Sequence, residues 1–231
     1  MRTHALHPTL HRIQNAATAC GRPKPQLLAV SKTQPAEAVA ELAEQGQRAF
    51  GENYVQEAAA KQDKLSLQYL PGPALEWHLI GHLQSNKARE AAARFDWVQT
   101  VDRERLALAL ARHRMAERPP LNVLIQVNID DEMSKHGCRP DEVAALASLI
   151  VTQARLHLRG LMVIPTPHAD VEARRPAFRR AAELFETLRI AHPSVDTLSM
   201  GMSDDLEVAI AEGATMVRVG TALFGARTPK V

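Results

Sequence analysis

Short apolar runs alternate with longer stretches of helical period along most of this chain. Apolar and β-branched residues gather in "QLLAVS" (26–31), "RAFG" (48–51), "EWHLIG" (76–81), "DWVQTV" (96–101), "LNVLIQVNI" (121–129), "LHLRGLMVI" (156–164), "VDTLSMG" (195–201) and "TMVRVG" (215–220). These runs predict eight strands. Between them, "PAEAVAELAEQG" (35–46), "DRERLALALARHRMAE" (102–117), "RPDEVAALASLIVTQA" (139–154) and "RPAFRRAAELFETLRIA" (175–191) carry helical periodicity, several opened by Pro or Asp as helix starts are. A further amphipathic segment precedes the first strand, around residues 7–19. Eight β/α units in one domain spanning 1–231 predict an α/β fold, a single TIM-type (β/α)8 barrel with an extra N-terminal helix. An open doubly wound sheet also accommodates eight strands and stays open as an alternative at this point.

A barrel makes the next expectation specific, because chemistry gathers at the C-terminal ends of its strands. The first strand is followed by Lys32 and the second by Glu52 and Asn53 in "FGEN"; the third is followed by "GHLQSNK" and the fifth by "DDEMSKHG". Lys32 has two readings: a solvated lysine at a strand end, or an amine held in a pocket so that a neutral nucleophile exists. After the last two strands come "SMGMSDD" (199–205) and "GTALFG" (220–225). Each alone reads as a tight turn with a helix cap, to which Asp204 and Asp205 are suited. Together they favour an anion site, with Gly201 and Gly220 permitting close backbone approach and Ser199 and Thr221 offering hydroxyls. Arg218, inside the last strand, either faces outward into an ion pair or faces inward against a ligand acceptor.

His78 and His82 are spaced i, i+4 in "WHLIGH", on a strand and its exit loop and without the Glu of a metal-binding helix, so no metal is expected. Lys135 and His136 are expected as rim residues, Lys135 being a second amine that could accept or hand over an aldehyde.

Composition narrows the class without changing the architecture. The chain has 231 residues, is 45% hydrophobic and carries a formal charge of +2, with basic and acidic residues scattered instead of blocked. Neither nucleic acid nor a membrane surface is expected as a partner. The two cysteines, Cys20 and Cys138, form no CxxC pair or disulfide framework, which fits a reducing cytosol. No apolar run approaches about 18 residues, so the reading is a cytoplasmic protein. No conspicuous apolar stripe marks the outer helices, and a monomer is expected.

"AVSKTQP", "FGENYVQE", "WHLIGHLQSNK", "VNIDDEMSKHG", "GLMVIP", "LSMGMSDD" and "VRVGTALFGAR" stand in this order in one chain. That series resembles the pyridoxal phosphate homeostasis proteins, a family similar to the N-terminal barrel of alanine racemase. The resemblance runs from about residue 26 to residue 227. It implies a fold type III barrel that binds pyridoxal 5'-phosphate as an internal aldimine, a Schiff base, on Lys32. It further implies that Ser199 and the Gly220 to Thr221 loop bind the phosphate, that Arg218 addresses the pyridine nitrogen, and that Asn53 lies close to the ring. An arginine at that nitrogen keeps it unprotonated and makes the ring a weaker electron sink than a carboxylate partner would.

Three functions remain distinct at this stage. The first is a cofactor carrier without turnover that buffers pyridoxal phosphate and passes it to apo-enzymes. The second is an amino-acid racemase or related pyridoxal phosphate enzyme. The third is a class I aldolase using Lys32 on a sugar aldehyde. A racemase needs acid/base groups on both faces of the substrate carbon, which its relatives complete from a second domain. The residues after the last strand, "ALFGARTPKV", are too few for one, and the carrier is the expected function.

Overall fold

The computed structural model describes residues 5–67, 70, 72–132 and 135–225. Every predicted run coincides with a strand, β2 alone ending one residue beyond its run: β1 (Gln26–Val30), β2 (Ala49–Glu52), β3 (Glu76–Leu79), β4 (Trp97–Val101), β5 (Leu121–Val127), β6 (Leu156–Val163), β7 (Thr197–Ser199) and β8 (Met216–Val219). Each strand pairs in parallel with its sequence neighbours, and β8 closes on β1 with Leu28 opposite Arg218. The sheet is therefore a closed barrel, and the open alternative is excluded.

Helix α1 (Leu6–Ala19) precedes the barrel and is stitched to the segment after β7, where Arg12 donates at 2.9 Å to the Ser203 carbonyl in the loop and to the Glu207 carboxylate in the helix that follows it. Of the remaining helices, α2 (Ala36–Glu44), α5 (Glu104–His113), α6 (Val143–Val151) and α7 (Arg175–Ala191) lie within the expected segments. Helices α3 (Val55–Ser66), α4 (Ala88–Arg94), α8 (Leu206–Ala211) and α9 (Thr221–Phe224) were not singled out from the sequence. Three of these are too short to display a period, since a helical pattern needs about 11 residues or more to stand out. Among the described residues, no helix is long and apolar enough to cross a membrane.

Side chains alternate across a strand, and here the two faces differ in kind. The outward set, including Leu27, Phe50, Leu79, Val98, Val123, Leu161 and Val217, packs under the helices in one continuous apolar core with Leu106 and Phe178. Each such large side chain, fully buried, stabilises the fold by about 1.5–3 kcal/mol. The inward set is mixed. Leu28, Ala49 and Met216 form one small apolar cluster and Trp97, Leu124 and Met162 another, while buried His78, Gln99, Ser199 and Arg218 stand among them. A polar interior this well enclosed has to satisfy its own hydrogen bonds, and that requirement shapes the site.

Candidate functional site

All strands run in parallel, so their C-terminal ends open on one rim, and Lys32 and the loops after β7 and β8 share it. Alternation puts Leu28 and Val30 on the inner face of β1, and Lys32 follows two residues later in the turn at the mouth, half-buried. Ser31 points the other way, is fully buried, and donates to Glu52 Oε1 at 2.6 Å. Thr33 adopts φ +65°, a left-handed conformation uncommon for a β-branched residue, and its amide donates to Glu57 Oε1. Beneath this turn, Lys61 Nζ donates to the Ser31 carbonyl at 2.7 Å, to Glu52 at 2.6 Å and to Glu57 at 2.7 Å. Burial raises the Glu52 carboxyl above the ordinary carboxylate range, against the opposing pull of Lys61 and Ser31.

Arg218 faces inward, as one of its two sequence readings required. Its guanidinium donates to the carbonyl and hydroxyl of Ser199, both at 2.8 Å, and to the Val163 carbonyl at 3.0 Å. Among the described residues no carboxylate lies within ion-pair distance of it, and burial pushes its pKa down to about 10. Ser199, in turn, donates its hydroxyl hydrogen to Gln99 Oε1 at 2.7 Å, Gln99 donates to His78 Nδ1 at 2.9 Å, and His78 Nε2 meets Glu76 at 2.7 Å. Accepting from Gln99 fixes His78 in the tautomer that carries its proton on Nε2. Ser199 thus sits at the end of β7 on the inner wall beside Arg218, its hydroxyl hydrogen given to Gln99 and its oxygen accepting from Arg218.

Both glycine loops lie at the C-terminal end of the barrel. A Cβ on Gly220 would come within 3.2 Å of the Val30 carbonyl, so the backbone after β8 lies directly against the end of β1, next to Lys32. Thr221 follows, exposed, at the start of α9. Gly201 has φ +88°, and a Cβ there would lie 2.5 Å from that of Ala209. Only glycine fits. Asp205, buried, holds this loop by accepting from the Met202 amide and is itself bound by Arg174 at 2.6 Å.

Asn53 follows β2 at half-burial, and its carbonyl lies 2.1 Å from where a Cβ on Gly81 would stand, so the loop after β3 presses against it. Together they line a groove of about 410 Å³ with Tyr54, His82, Gln84 and Lys87. His82, at the rim, stacks on His136 with ring centroids 3.8 Å apart and planes 14° from parallel. Asp102 completes a cluster whose ligand atoms lie within 4.8 Å of one another. Near-parallel rings aim their in-plane lone pairs side by side, so a shared cation would require one ring to turn. Lys135 bonds Thr166 at 2.7 Å and Glu132 at 3.0 Å, which anchors it on the rim between β5 and β6.

The model of the family described as alanine racemase, N-terminal domain, matches residues 6–228. The pyridoxal phosphate homeostasis protein of Escherichia coli (strain K12) is 52% identical over 227 residues, covering 97% of this chain and 96% of that one. The chain belongs to the pyridoxal phosphate homeostasis protein family. A second family member, from Pseudomonas aeruginosa, is 54% identical over 218 residues, 94% of this chain and 91% of its own. PipY of Synechococcus elongatus, solved with PLP bound, superposes with a TM-score of 0.78 at 38% identity over 92% of this chain and 100% of that one. Alanine racemase from Corynebacterium glutamicum shares the fold alone, with a TM-score of 0.65 at 20% identity over 94% of this chain and 60% of its own.

Sequence reasoning expected Lys32, Asn53, Gly220 and Thr221 after strand ends and Arg218 within the last strand, and the structure has the first four at the C-terminal end of the barrel and Arg218 on its inner wall. It missed Gln99 and His78 as supports of that wall, and Glu57 and Lys61 as supports of the Lys32 turn. For Lys61 a signal existed. Ala58, Lys61 and Leu65 fall on one face of α3 at helical spacing, and all three are buried.

Proposed function

We propose that this chain binds pyridoxal 5'-phosphate reversibly, with Lys32 as the capturing residue, and contributes to intracellular homeostasis of the cofactor without catalytic turnover. The observation that carries the reading is Arg218, an inward, fully enclosed cation that meets only neutral acceptors at the base of a mouth overlooked by Lys32. The Asp205 carboxylate attracts this charge only from beyond ion-pair distance, so enclosing it is costly and a ligand acceptor within reach would add a direct partner. Bound here, the cofactor would supply an aldehyde able to condense reversibly with the Lys32 amine with release of one water.

In this arrangement Arg218 donates toward the ring nitrogen. Its pKa of about 10 keeps it protonated near neutrality, so it holds that nitrogen as an acceptor. Ser199 orients Arg218 from behind. Gly220 and Thr221, beside the loop after β7, receive the phosphate, and Asn53 lies along the ring. The relatives named for pyridoxal phosphate homeostasis support a holding role, and apo-enzymes of the same cofactor are the recipients that role requires. The chain acts as a cytoplasmic monomer.

The test begins with the purified full chain and pyridoxal phosphate. A visible absorption band, one cofactor per subunit by native mass spectrometry, and borohydride fixation on the Lys32 peptide are expected, and Lys32→Ala should abolish all covalent capture. A band that persists unchanged in Lys32→Ala would transfer the role to another amine, Lys135 first. Multiple-turnover deuterium exchange at the α-carbon of amino acids would overturn the non-catalytic part and favour a racemase-like enzyme.

A further inference from the structure

The turn that carries Lys32 is gripped from both sides by one buried ion network. On the N-terminal side, the Ser31 carbonyl accepts from Lys61 Nζ and the Ser31 hydroxyl donates to Glu52. On the C-terminal side, the Thr33 amide donates to Glu57, which sits one helical turn before Lys61 and pairs with it. Glu52 is fully buried and Lys61 nearly so, although both belong to residue types rarely enclosed. Enclosing these charges is costly, and a surface turn could close without them.

The backbone indicates what the network holds. Thr33 at φ +65° lies in a region that L-residues, and β-branched ones most of all, leave when they can. A strained dihedral persists where its surroundings over-determine it, and such positions collect at functional sites. Relaxing Thr33 would rotate the peptide that follows Lys32 and swing the whole side chain. We infer that Glu57 and Lys61, with Glu52 behind them, are positioning residues for Lys32, holding the flanking peptides so that its amine enters the mouth. The inference rests on Lys32 being the capturing residue, but the grip on Thr33 can be read without any cofactor.

The experiment compares wild type, Glu57→Gln, Thr33→Gly and the double variant, all as full chains. It measures the rate at which visible absorbance rises on adding pyridoxal phosphate and, without cofactor, hydrogen exchange at the Thr33 amide. Glu57→Gln should slow capture about tenfold and expose the amide, because an ionised acceptor is replaced by a weaker one on a strained turn. Glycine takes a positive φ without steric cost, so the double variant should recover most of the rate. A merely structural role for Glu57 in docking α3 would not be rescued at position 33.

Equal capture rates in wild type and Glu57→Gln overturn the inference, as does a double variant no faster than Glu57→Gln. If wild type captures no pyridoxal phosphate, the proposed function falls instead. The amide then decides the clamp by itself, and Thr33 protection unchanged in Glu57→Gln overturns it.

Discussion

Lys61 and Arg218 are both cations enclosed by this barrel, but they are enclosed in opposite company. Lys61, between β2 and α3, lies within 2.7 Å of two carboxylates. Arg218, inside the barrel, touches a hydroxyl and two carbonyls. Arg114 shows that carbonyls alone are not enough to mark a ligand site. It is also buried, but it bonds Ala92 and Phe95 carbonyls at the C-terminal end of α4, where the helix presents unpaired acceptors and a partial negative charge. The carbonyls that Arg218 bonds, those of Ser199 and Val163, belong to the ends of β7 and β6. The contrast is between a cation paired with carboxylates inside the fold and one held at hydrogen-bond distance by neutral acceptors alone.

The largest effect that tests this contrast is on stability. Removing one member of a buried ion pair leaves the other charge enclosed, so Lys61→Met should cost about 3–5 kcal/mol in chemical denaturation. Arg218→Met leaves only neutral acceptors behind and should cost the protein without cofactor less, about 1–3 kcal/mol. Equal losses would erase the distinction. A smaller effect appears at high pH. Arg218 has a folded pKa of about 10, below its ordinary value of 12.5, so between these values the unfolded chain binds more protons. Its contribution is therefore full above the unfolded value and lost as pH falls through about 10. Read upward, wild type should gain on Arg218→Met by up to ~1.4 kcal/mol per pH unit above about pH 10. A stability difference between the two that stays flat to pH 11 would show that Arg218 is not desolvated.

The same contrast explains what the sequence made legible. The strands announced themselves because both faces of a barrel strand are enclosed, so "QLLAV" and "LNVLIQV" read as apolar runs. Lys32, Asn53, Gly220 and Thr221 could be grouped from the sequence because strand ends in a parallel barrel share a rim. Helix α3 passed unnoticed because "VQEAAAKQDKLS" reads as a solvated polar segment, and enclosure of Lys61 depends on Glu52, a residue from another element. Ser199 stands in both the strand run "VDTLSMG" and the motif "SMGMSDD", and the contact with Arg218 that ties it to the inner wall is a tertiary one that neither pattern reveals. The Thr33 dihedral leaves no mark in composition or period, since the residue there is not the glycine such a turn favours.

The smallest effect lies at the far end of the Arg218 wall. Burial, opposed by Glu76, holds the His78 pKa below its ordinary value of 6.5. The unfolded chain therefore binds the extra proton first, and the contribution from His78 is full above 6.5 and lost as pH falls through the lowered folded value. Wild type should lose stability relative to His78→Gln as pH drops below about 6.5, by no more than ~1.4 kcal/mol per pH unit. Gln99 accepts from Ser199 and donates to His78, so protonating His78 Nδ1 sets two donors against each other. Relief of that clash by rotating the Gln99 amide would turn a donor toward Ser199 and reverse its hydroxyl, the group on which Arg218 leans. Acidification should therefore shift Arg218 Nη resonances in wild type and leave them unmoved in His78→Gln. Identical shifts in both proteins would show that the two ends of the wall are independent.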